Sequence, residues 1–251
     1  MGVWHDGAVF WNLPESVIVP AMLFDPAPVF ALPVAGEEKV FPVNRIFCVG
    51  RNYAAHAAEM GNEVDRQTPF YFTISPANAA LGGQVPYPAG TSDYHHEVEL
   101  VVALGSGGAD IPVDRAMALV YGYGVGLDMT RRDLQAIAKE KRRPWCISKD
   151  CENGALLSPL TKAADFGPLG NQRISLTKNQ EVVQDSTLDL MVHSVPELIA
   201  HLSQFYHLQA GDIIMTGTPE GVGPVQKGDR LTGKVAGLAP IDVTFTERHG
   251  L

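Results

Sequence analysis

The chain has 251 residues, of which 45% are apolar and 19% charged, enough for a sizeable core and too apolar for a disordered chain. Its net charge is -9, and no run of Lys or Arg is longer than Lys141-Arg142-Arg143, so neither nucleic acid nor an anionic membrane is an expected partner. The 25 glycines and 18 prolines favour turns and short strands over long helices.

The opening Met1-Gly2-Val3-Trp4-His5-Asp6 has no basic region leading into an apolar run, so no signal peptide is expected. No stretch approaches the roughly 18 continuous apolar residues of a membrane span. Residues 1–42 read as a small N-terminal β region leaning on the main body, 43–251. Strands are expected at Ala8–Trp11 and Val29–Leu32, with Pro20, Pro26, Pro28 and Pro33 cutting the region up. The three cysteines, Cys48, Cys146 and Cys151, fit neither a C-x-x-C nor a zinc spacing. They suit a reducing compartment, and a cytoplasmic protein is expected.

Ile46-Phe47-Cys48-Val49 reads as a buried strand ended by Gly50. The alanine-rich stretch from Arg51 to Gly61 reads as a short helix, with Asn52 capping its start and Gly61 its end. His56 and Glu59, three apart, share a face of it and can form an acid/base pair. Taken alone, an ordinary surface pair is the better account of them. Residues 62–68 are polar. Phe70–Ile74 returns to strand, Pro76 ends it, and Gly82–Gly90 holds turns, with Val85-Pro86-Tyr87-Pro88 extended at best.

Asp93 to Leu104 reads as loop, then buried strand from Val98. Glu97 and Glu99 are two apart, so both point to the same side of it. Two like charges at the mouth of a buried strand are costly unless compensated, and a hard divalent cation would do so. The alternative is an edge strand with both Glu facing water. Val113–Leu119 reads as a short helix. Val120–Asp128 reads as a glycine-spaced strand running directly into a helix, with Thr130 and Asp133 as its capping box and Pro144 closing it by about Arg143. Asp128 is then either a third carboxylate of the cluster or part of the cap. Lys149 is either in the site, balancing the carboxylates, or an exposed turn lysine paired with Asp150.

Arg173–Thr177 and Glu181–Gln184 read as a hairpin around residues 178–180. Ser194 and Glu197 box the start of a second helix, with Leu198, Ile199, Leu202, Phe205 and Tyr206 as an apolar stripe expected to pack in the core. Residues 212–216 form a strand leading into the glycine loop 217–224. That loop lacks the Gly-Lys-Ser/Thr ending of a P-loop, which excludes nucleotide binding. It does offer N–H groups and a hydroxyl suited to a carboxylate. Two more strands, 231–235 and 241–247, follow.

In family order, the segments Cys48-Val49-Gly50-Arg51-Asn52-Tyr53 with His56 and Glu59, His95-His96-Glu97-Val98-Glu99, Gly126 to Gln135, Pro144-Trp145 with Ser148-Lys149, and Gly211 to Pro224 resemble the fumarylacetoacetate hydrolase family, in its acylpyruvase and fumarylpyruvate hydrolase branch. The resemblance runs from about residue 43 to the end. It implies an α+β, predominantly β fold, the family's mixed β-roll with a few short helices, and a homodimer. It implies Glu97, Glu99 and Asp128 as ligands of one Mg²⁺ or Mn²⁺ per subunit. His56 and Glu59 would be the water-activating dyad, and Lys149 would offset developing negative charge. Thr218 would bind the substrate carboxylate, with Arg51 and Gln135 as further pocket residues and His96 as support for the ligands. The implied activity is hydrolytic C–C cleavage of a small 2-oxo acid, a 3-acylpyruvate, with fumarylpyruvate of the gentisate route first. A broader acylpyruvase, an oxaloacetate decarboxylase, a 2-oxo acid hydratase or isomerase, and a non-enzymatic metal-dependent diacid binder are the alternatives. Relatives often carry Phe-x-Lys-Pro where this chain has Phe72-Thr73-Ile74-Ser75-Pro76, so no lysine is expected to act from there.

Overall fold

In the computed structural model of the protein, residues 3–5, 8–10, 22–61 and 66–247 are described. Trp11, Pro20 and residues 62–65, on which expectations were placed, lie outside them.

The architecture is mixed and mostly β, built around Val98–Leu104. All seven residues of this strand are buried. It is hydrogen-bonded on both flanks, antiparallel to Val120–Asp128 and to Asp212–Met215. A strand with a partner on each side and cover on both faces has no wet surface, which is why its sequence is a near-continuous apolar run. The edge-strand alternative for Glu97 and Glu99 is thereby excluded. Arg45–Gly50 continues the sheet parallel to Asp212–Met215, and Phe70–Ile74 follows it antiparallel. On the other flank come Ala155–Leu157 and Ala79–Leu81.

Alternation along Val98–Leu104 divides the core in two. Leu100, Val102 and Leu104 enter the larger cluster, with Ile174, Leu176 and Phe245 from a five-stranded second sheet. Val101 and Ala103 enter a smaller cluster with Ile46, Ile213 and Met215. Leu32, Val34 and Phe41 cover that smaller cluster, and Ala35 N donates to Leu160 O at 2.8 Å, so residues 31–41 do pack on the main body. Of the strand expected over Val29–Leu32, only Ala31–Leu32 forms, paired with Phe41–Pro42; Val29 is exposed.

A third, three-stranded sheet matters most for function. It joins Thr130–Arg131, Tyr94–His96 and Gly223–Val225. Three segments far apart in sequence are thereby fixed beside one another: the approach to Glu97, the exit from Asp128, and the end of the glycine loop.

Several local expectations are corrected. Thr130 and Asp133 form no capping box, because Thr130–Arg131 is recruited as a strand and the helix starts only at Arg132. Asp133 instead accepts from Thr91 Oγ1 at 2.7 Å and Ser92 N at 3.1 Å, pinning the loop before Tyr94. That helix ends at Glu140, before Pro144, because Arg142 takes a left-handed φ of 52°. Gly83–Pro86, placed among turns, is a strand parallel to Ile241–Thr246. The hairpin forms with Asn179 and Gln180 as its two turn residues, both at positive φ (51° and 74°), so Asn-Gln makes the primed turn without a glycine. The Ser194/Glu197 capping box is present, but its helix ends at Leu202, so Leu198, Ile199 and Leu202 are buried while Phe205 and Tyr206 lie beyond the helix and are exposed.

Candidate active site

Glu97 sits immediately before Val98–Leu104, Glu99 is the strand's second residue, and Asp128 ends the neighbouring strand. Asp128 N donates to Glu97 O at 2.9 Å, and Glu99 lies opposite Gly126. Antiparallel pairing therefore places all three carboxylates at one end of the sheet. One oxygen from each lies within 4.8 Å of the others, and all three residues are at most 5% exposed.

Two cations touch the cluster. Lys149 Nζ donates to Glu97 Oε2 and to Asp128 Oδ2, each at 2.7 Å. Arg132 donates to Glu97 Oε1 at 2.5 Å and to Gln135 Oε1 at 2.7 Å. The pairing of Lys149 with Asp150 does not occur. Lys149 is 2% exposed at the end of the helix Cys146–Lys149, and Asp150 Oδ1 instead accepts from Ser75 N (2.9 Å) and Asn78 Nδ2 (2.6 Å). Asp150 thus anchors the turn after Phe70–Ile74. Ile74 is buried in the smaller core.

The charges do not balance. Burial pushes Glu97 up, but Lys149 and Arg132 outweigh it and hold it well below the usual carboxylate range. Glu99 goes the other way, raised well above that range by burial and by the charge of Asp128. Asp128 is raised to about 6, by burial and by Glu97, against the pull of Lys149. Glu99 Oε2 has one N–H, from Gly217 at 2.8 Å, and Asp128 Oδ1 is buried with no partner. Three hard oxygen donors, two contacting cations and one orphaned buried oxygen fit a divalent cation of the Mg²⁺/Mn²⁺ type.

The glycine loop lies against this cluster. Gly217 has φ +96°, and a Cβ there would come within 2.7 Å of Asn52 Cβ, so only glycine lets its N–H reach Glu99. Gly217→Ala is expected to cost about 2 kcal/mol in urea denaturation. Unchanged stability would contradict this reading of the loop. Thr218 is 3% exposed, and its Oγ1 accepts from Gln184 Nε2 at 2.9 Å. The Thr218 hydroxyl hydrogen is thus left to donate to an anion. Gln184 Oε1 in turn accepts from Val98 N at 3.0 Å and from His96 Nδ1 at 3.2 Å. Burial lowers His96 to about 4, so the ring is neutral. His96 therefore supports the strand and the loop through Gln184.

His56 and Glu59 lie on the helix Ala54–Glu59. His56 Nδ1 is 3.3 Å from Glu59 Oε2. A carboxylate only accepts, so Nδ1 carries the hydrogen and Nε2 is the ring's basic atom. Burial lowers the His56 pKa, with Glu97 and Glu59 pulling the other way. His56 lines the same pocket as the three carboxylates. The plain surface-pair account of His56 and Glu59 therefore fails: His56 is only 7% exposed, and Glu59 also accepts from Gly221 N at 3.0 Å, tying helix to loop. Asn52 does not cap this helix. Its side chain is buried, donating to His193 O and Thr216 O and accepting from His193 N, which clamps the turn after Gly50 to the glycine loop. Gly61, at φ 68° with its N–H on Ala58 O, does end the helix.

Arg51 and Gln135 also line the pocket, with Thr218 and Lys149. Of the residues expected at the site, His56, Glu97, Glu99, Asp128, Lys149, Arg51, Gln135 and Thr218 line one cavity, while Glu59 stands behind His56 and His96 behind Gln184. Sequence reading missed Arg132, Gln184 and Lys139. Arg132 stood in a recognised segment, one turn before Gln135, as a usable signal. Gln184 carried none, since it comes from a hairpin strand 86 residues beyond Val98.

Comparison with known proteins agrees with this geometry. Residues 45–246 match the family described as Fumarylacetoacetate (FAA) hydrolase C-terminal. The chain belongs to the fumarylacetoacetate hydrolase family. Among members of the family, a fumarylpyruvate hydrolase of Ralstonia sp is 47% identical over 189 residues, covering 74% of this chain and 97% of that protein. An oxaloacetate tautomerase of Escherichia coli is 39% identical over 193 residues, 76% of this chain and 88% of that one. The crystal structure of fumarylpyruvate hydrolase from Pseudomonas aeruginosa in complex with Mn²⁺ and pyruvate aligns with a TM-score of 0.89 at 42% identity, over 91% of this chain and all of that one. The α+β, predominantly β fold with short helices is the fumarylacetoacetate hydrolase C-terminal type.

Proposed function

We propose that this protein is a divalent-metal-dependent hydrolase that cleaves the C3–C4 bond of a 3-acylpyruvate, with fumarylpyruvate, giving fumarate and pyruvate, as its substrate. One observation carries the reading. A buried trio of carboxylates with an orphaned oxygen shares a pocket with a neutral histidine whose Nδ1 is held by a carboxylate. The likeness to fumarylpyruvate hydrolases supports the choice of substrate.

Glu97, Glu99 and Asp128 hold one Mg²⁺ or Mn²⁺. When bound, the ion supplies Lewis acidity toward the 2-oxo group and positive charge against a developing enolate. His56 Nε2 takes a proton from water, and Glu59 keeps the ring in the required tautomer. The water oxygen attacks C4, the C3–C4 electron pair goes to C3, and the His56 proton returns there to give pyruvate. Thr218 donates to the substrate carboxylate. Lys149 holds Glu97 Oε2 and Asp128 Oδ2 in place and contributes positive charge near the enolate. Gln135, held by Arg132, and Arg51 complete the pocket.

The test is steady-state cleavage of fumarylpyruvate, acetylpyruvate and oxaloacetate, each with Mg²⁺, Mn²⁺ or EDTA. Metal-dependent release of fumarate at the highest kcat/KM of the three is the expected result. A preference for oxaloacetate would replace this reading by decarboxylation or tautomerisation. A homodimer is proposed as the assembly. Leu23 and Phe24 stand 99% and 81% exposed, as side chains awaiting a partner surface would. Sedimentation at the monomer mass would contradict it. Among the described residues no helix is long and apolar enough to cross a membrane, and a cytoplasmic location is proposed with the function.

A further inference from the structure

Four cationic side chains line the pocket: Arg51, Arg132, Lys139 and Lys149. They fall into two pairs. Arg132 and Lys149 are committed to the carboxylate trio, and their side chains are 12% and 3% exposed. Arg51 and Lys139 lie nearer the solvent, one exposed and the other half-buried. Neither has a carboxylate partner among the described residues.

Lys139 is nonetheless held in place. It projects from the helix Arg132–Glu140, and its ammonium lies 5.4 Å from the centroid of the Trp145 ring. A cation over an aromatic face is positioned without using up its N–H donors. Burial, and then the charges of Arg132 and Arg51, lower its pKa, with Glu97 pulling the other way, so the positive field of its neighbours is only partly offset. Arg51 lines the same pocket from the turn after Arg45–Gly50, near enough for its charge to act on Lys139. Its backbone is in the left-handed region, φ 59°, where a side chain of this size is rarely found. Unfavourable backbone geometry and two cations that have no carboxylate partner among the described residues thus meet on the more exposed side of one pocket.

We propose that Arg51 and Lys139 form a second anion subsite at the mouth of the pocket, which takes the far carboxylate of a dianionic substrate. This rests on the reading that the 2-oxo acid end of the substrate lies deep, at Glu97, Glu99 and Asp128. An acyl chain running outward from there carries its far end to the mouth. In fumarylpyruvate the second carboxylate is three bonds beyond the carbonyl that water attacks. In acetylpyruvate that place is empty. The pair therefore selects dianionic acylpyruvates over those with an uncharged acyl group, and Lys139 is the specificity-determining residue that Trp145 positions.

Binding to the Mn²⁺-loaded protein tests this without turnover. Calorimetry compares 2-oxoheptanedioate with 2-oxoheptanoate, two acids of equal length that differ only in the far carboxylate and have no C4 carbonyl to attack. Wild type should bind the dioate about ten-fold more tightly, the size of one charge-assisted hydrogen bond. Lys139→Met should bring the ratio close to one, Lys139→Arg should restore most of it, and Arg51→Met should lower it independently. Binding of 2-oxoheptanoate by each variant reports that its pocket is folded. Equal affinity of wild type for the two acids, or a ratio indifferent to both Met variants, overturns the subsite and leaves the proposed activity standing. If neither acid binds wild type, the proposed activity and the subsite both fall.

Discussion

His56→Ala is expected to lower kcat for fumarylpyruvate cleavage by about a hundredfold to ten-thousandfold, the range lost with a general base, while Mn²⁺ affinity is kept. His56 shares the pocket with the carboxylates but is not one of the trio, so its removal takes away the proton acceptor and leaves the metal site. The same assignment sets the pH dependence. The reactive form is neutral His56, and burial lowers its pKa below the ordinary 6.5. Activity is therefore present above that lowered pKa and is lost as pH falls through it. At saturating metal, the acid limb of kcat/KM should have its midpoint below pH 6.5. The Glu59 hydrogen bond and charge pull the His56 pKa up, so Glu59→Gln should move the midpoint further down and also lower kcat, since the neutral amide holds Nδ1–H more weakly than the carboxylate does. A His56→Ala variant with wild-type kcat would remove His56 from the chemistry. An acid limb unmoved in Glu59→Gln would separate Glu59 from it.

Lys149→Met is the second large effect, and its signature is different. The ammonium bridges Glu97 and Asp128 at 2.7 Å to each, inside the fold. Burial alone would lower the Lys149 pKa, but Asp128 and Glu97 raise it above the ordinary lysine value, so it is charged throughout the working range. Removing one partner of a buried ion pair leaves charge uncompensated, which costs about 3–5 kcal/mol. The metal-free variant should lose stability on that scale, and saturating Mn²⁺ should restore much of it, because the ion replaces the missing positive charge. Mn²⁺ affinity should not weaken, since a repelling cation has gone. With metal bound, kcat should still fall by about a hundredfold or more, the scale of losing one preorganised charge beside a developing anion. Denaturant titrations with and without Mn²⁺, together with kcat, check all three statements. A metal-free Lys149→Met protein as stable as wild type would show that the bridge carries no charge balance. Weaker Mn²⁺ binding would show that Lys149 shapes the site instead of opposing the ion.

Much of the site was legible because its strongest signal is a local contradiction. Glu97 and Glu99 stand where an apolar strand begins, and the two-residue repeat of a strand puts them on one side whatever the rest of the chain does. Asp128 was legible as a strand end, though only its pairing across to Glu97 decided between ligand and cap. The capping box at Thr130 and Asp133 failed for a non-local reason. Residues 130–131 gain more by pairing with Tyr94–His96 than by opening a helix, and no pattern within the segment announces that. Asn52 is similar: its composition suits an N-cap, but its amide is used to join two loops more than 140 residues apart. Helix closure was placed at Pro144 because proline is the visible breaker, whereas the left-handed turn at Arg142 acts first. Lys149 was open between two roles until the structure showed Asp150 occupied by Ser75 and Asn78. Gln184 and Lys139 are ordinary polar residues in their own segments, and only the folded arrangement gives them neighbours worth naming.

The most direct test of the central claim is an add-back titration. Protein stripped with EDTA is supplied with increasing Mn²⁺, and initial rates of fumarylpyruvate cleavage are recorded. The stripped protein should be inactive, and the rate should rise to a plateau at one Mn²⁺ per chain, with Asp128→Asn showing no such rise. Full activity of the stripped protein, or the same plateau in Asp128→Asn, would contradict the account.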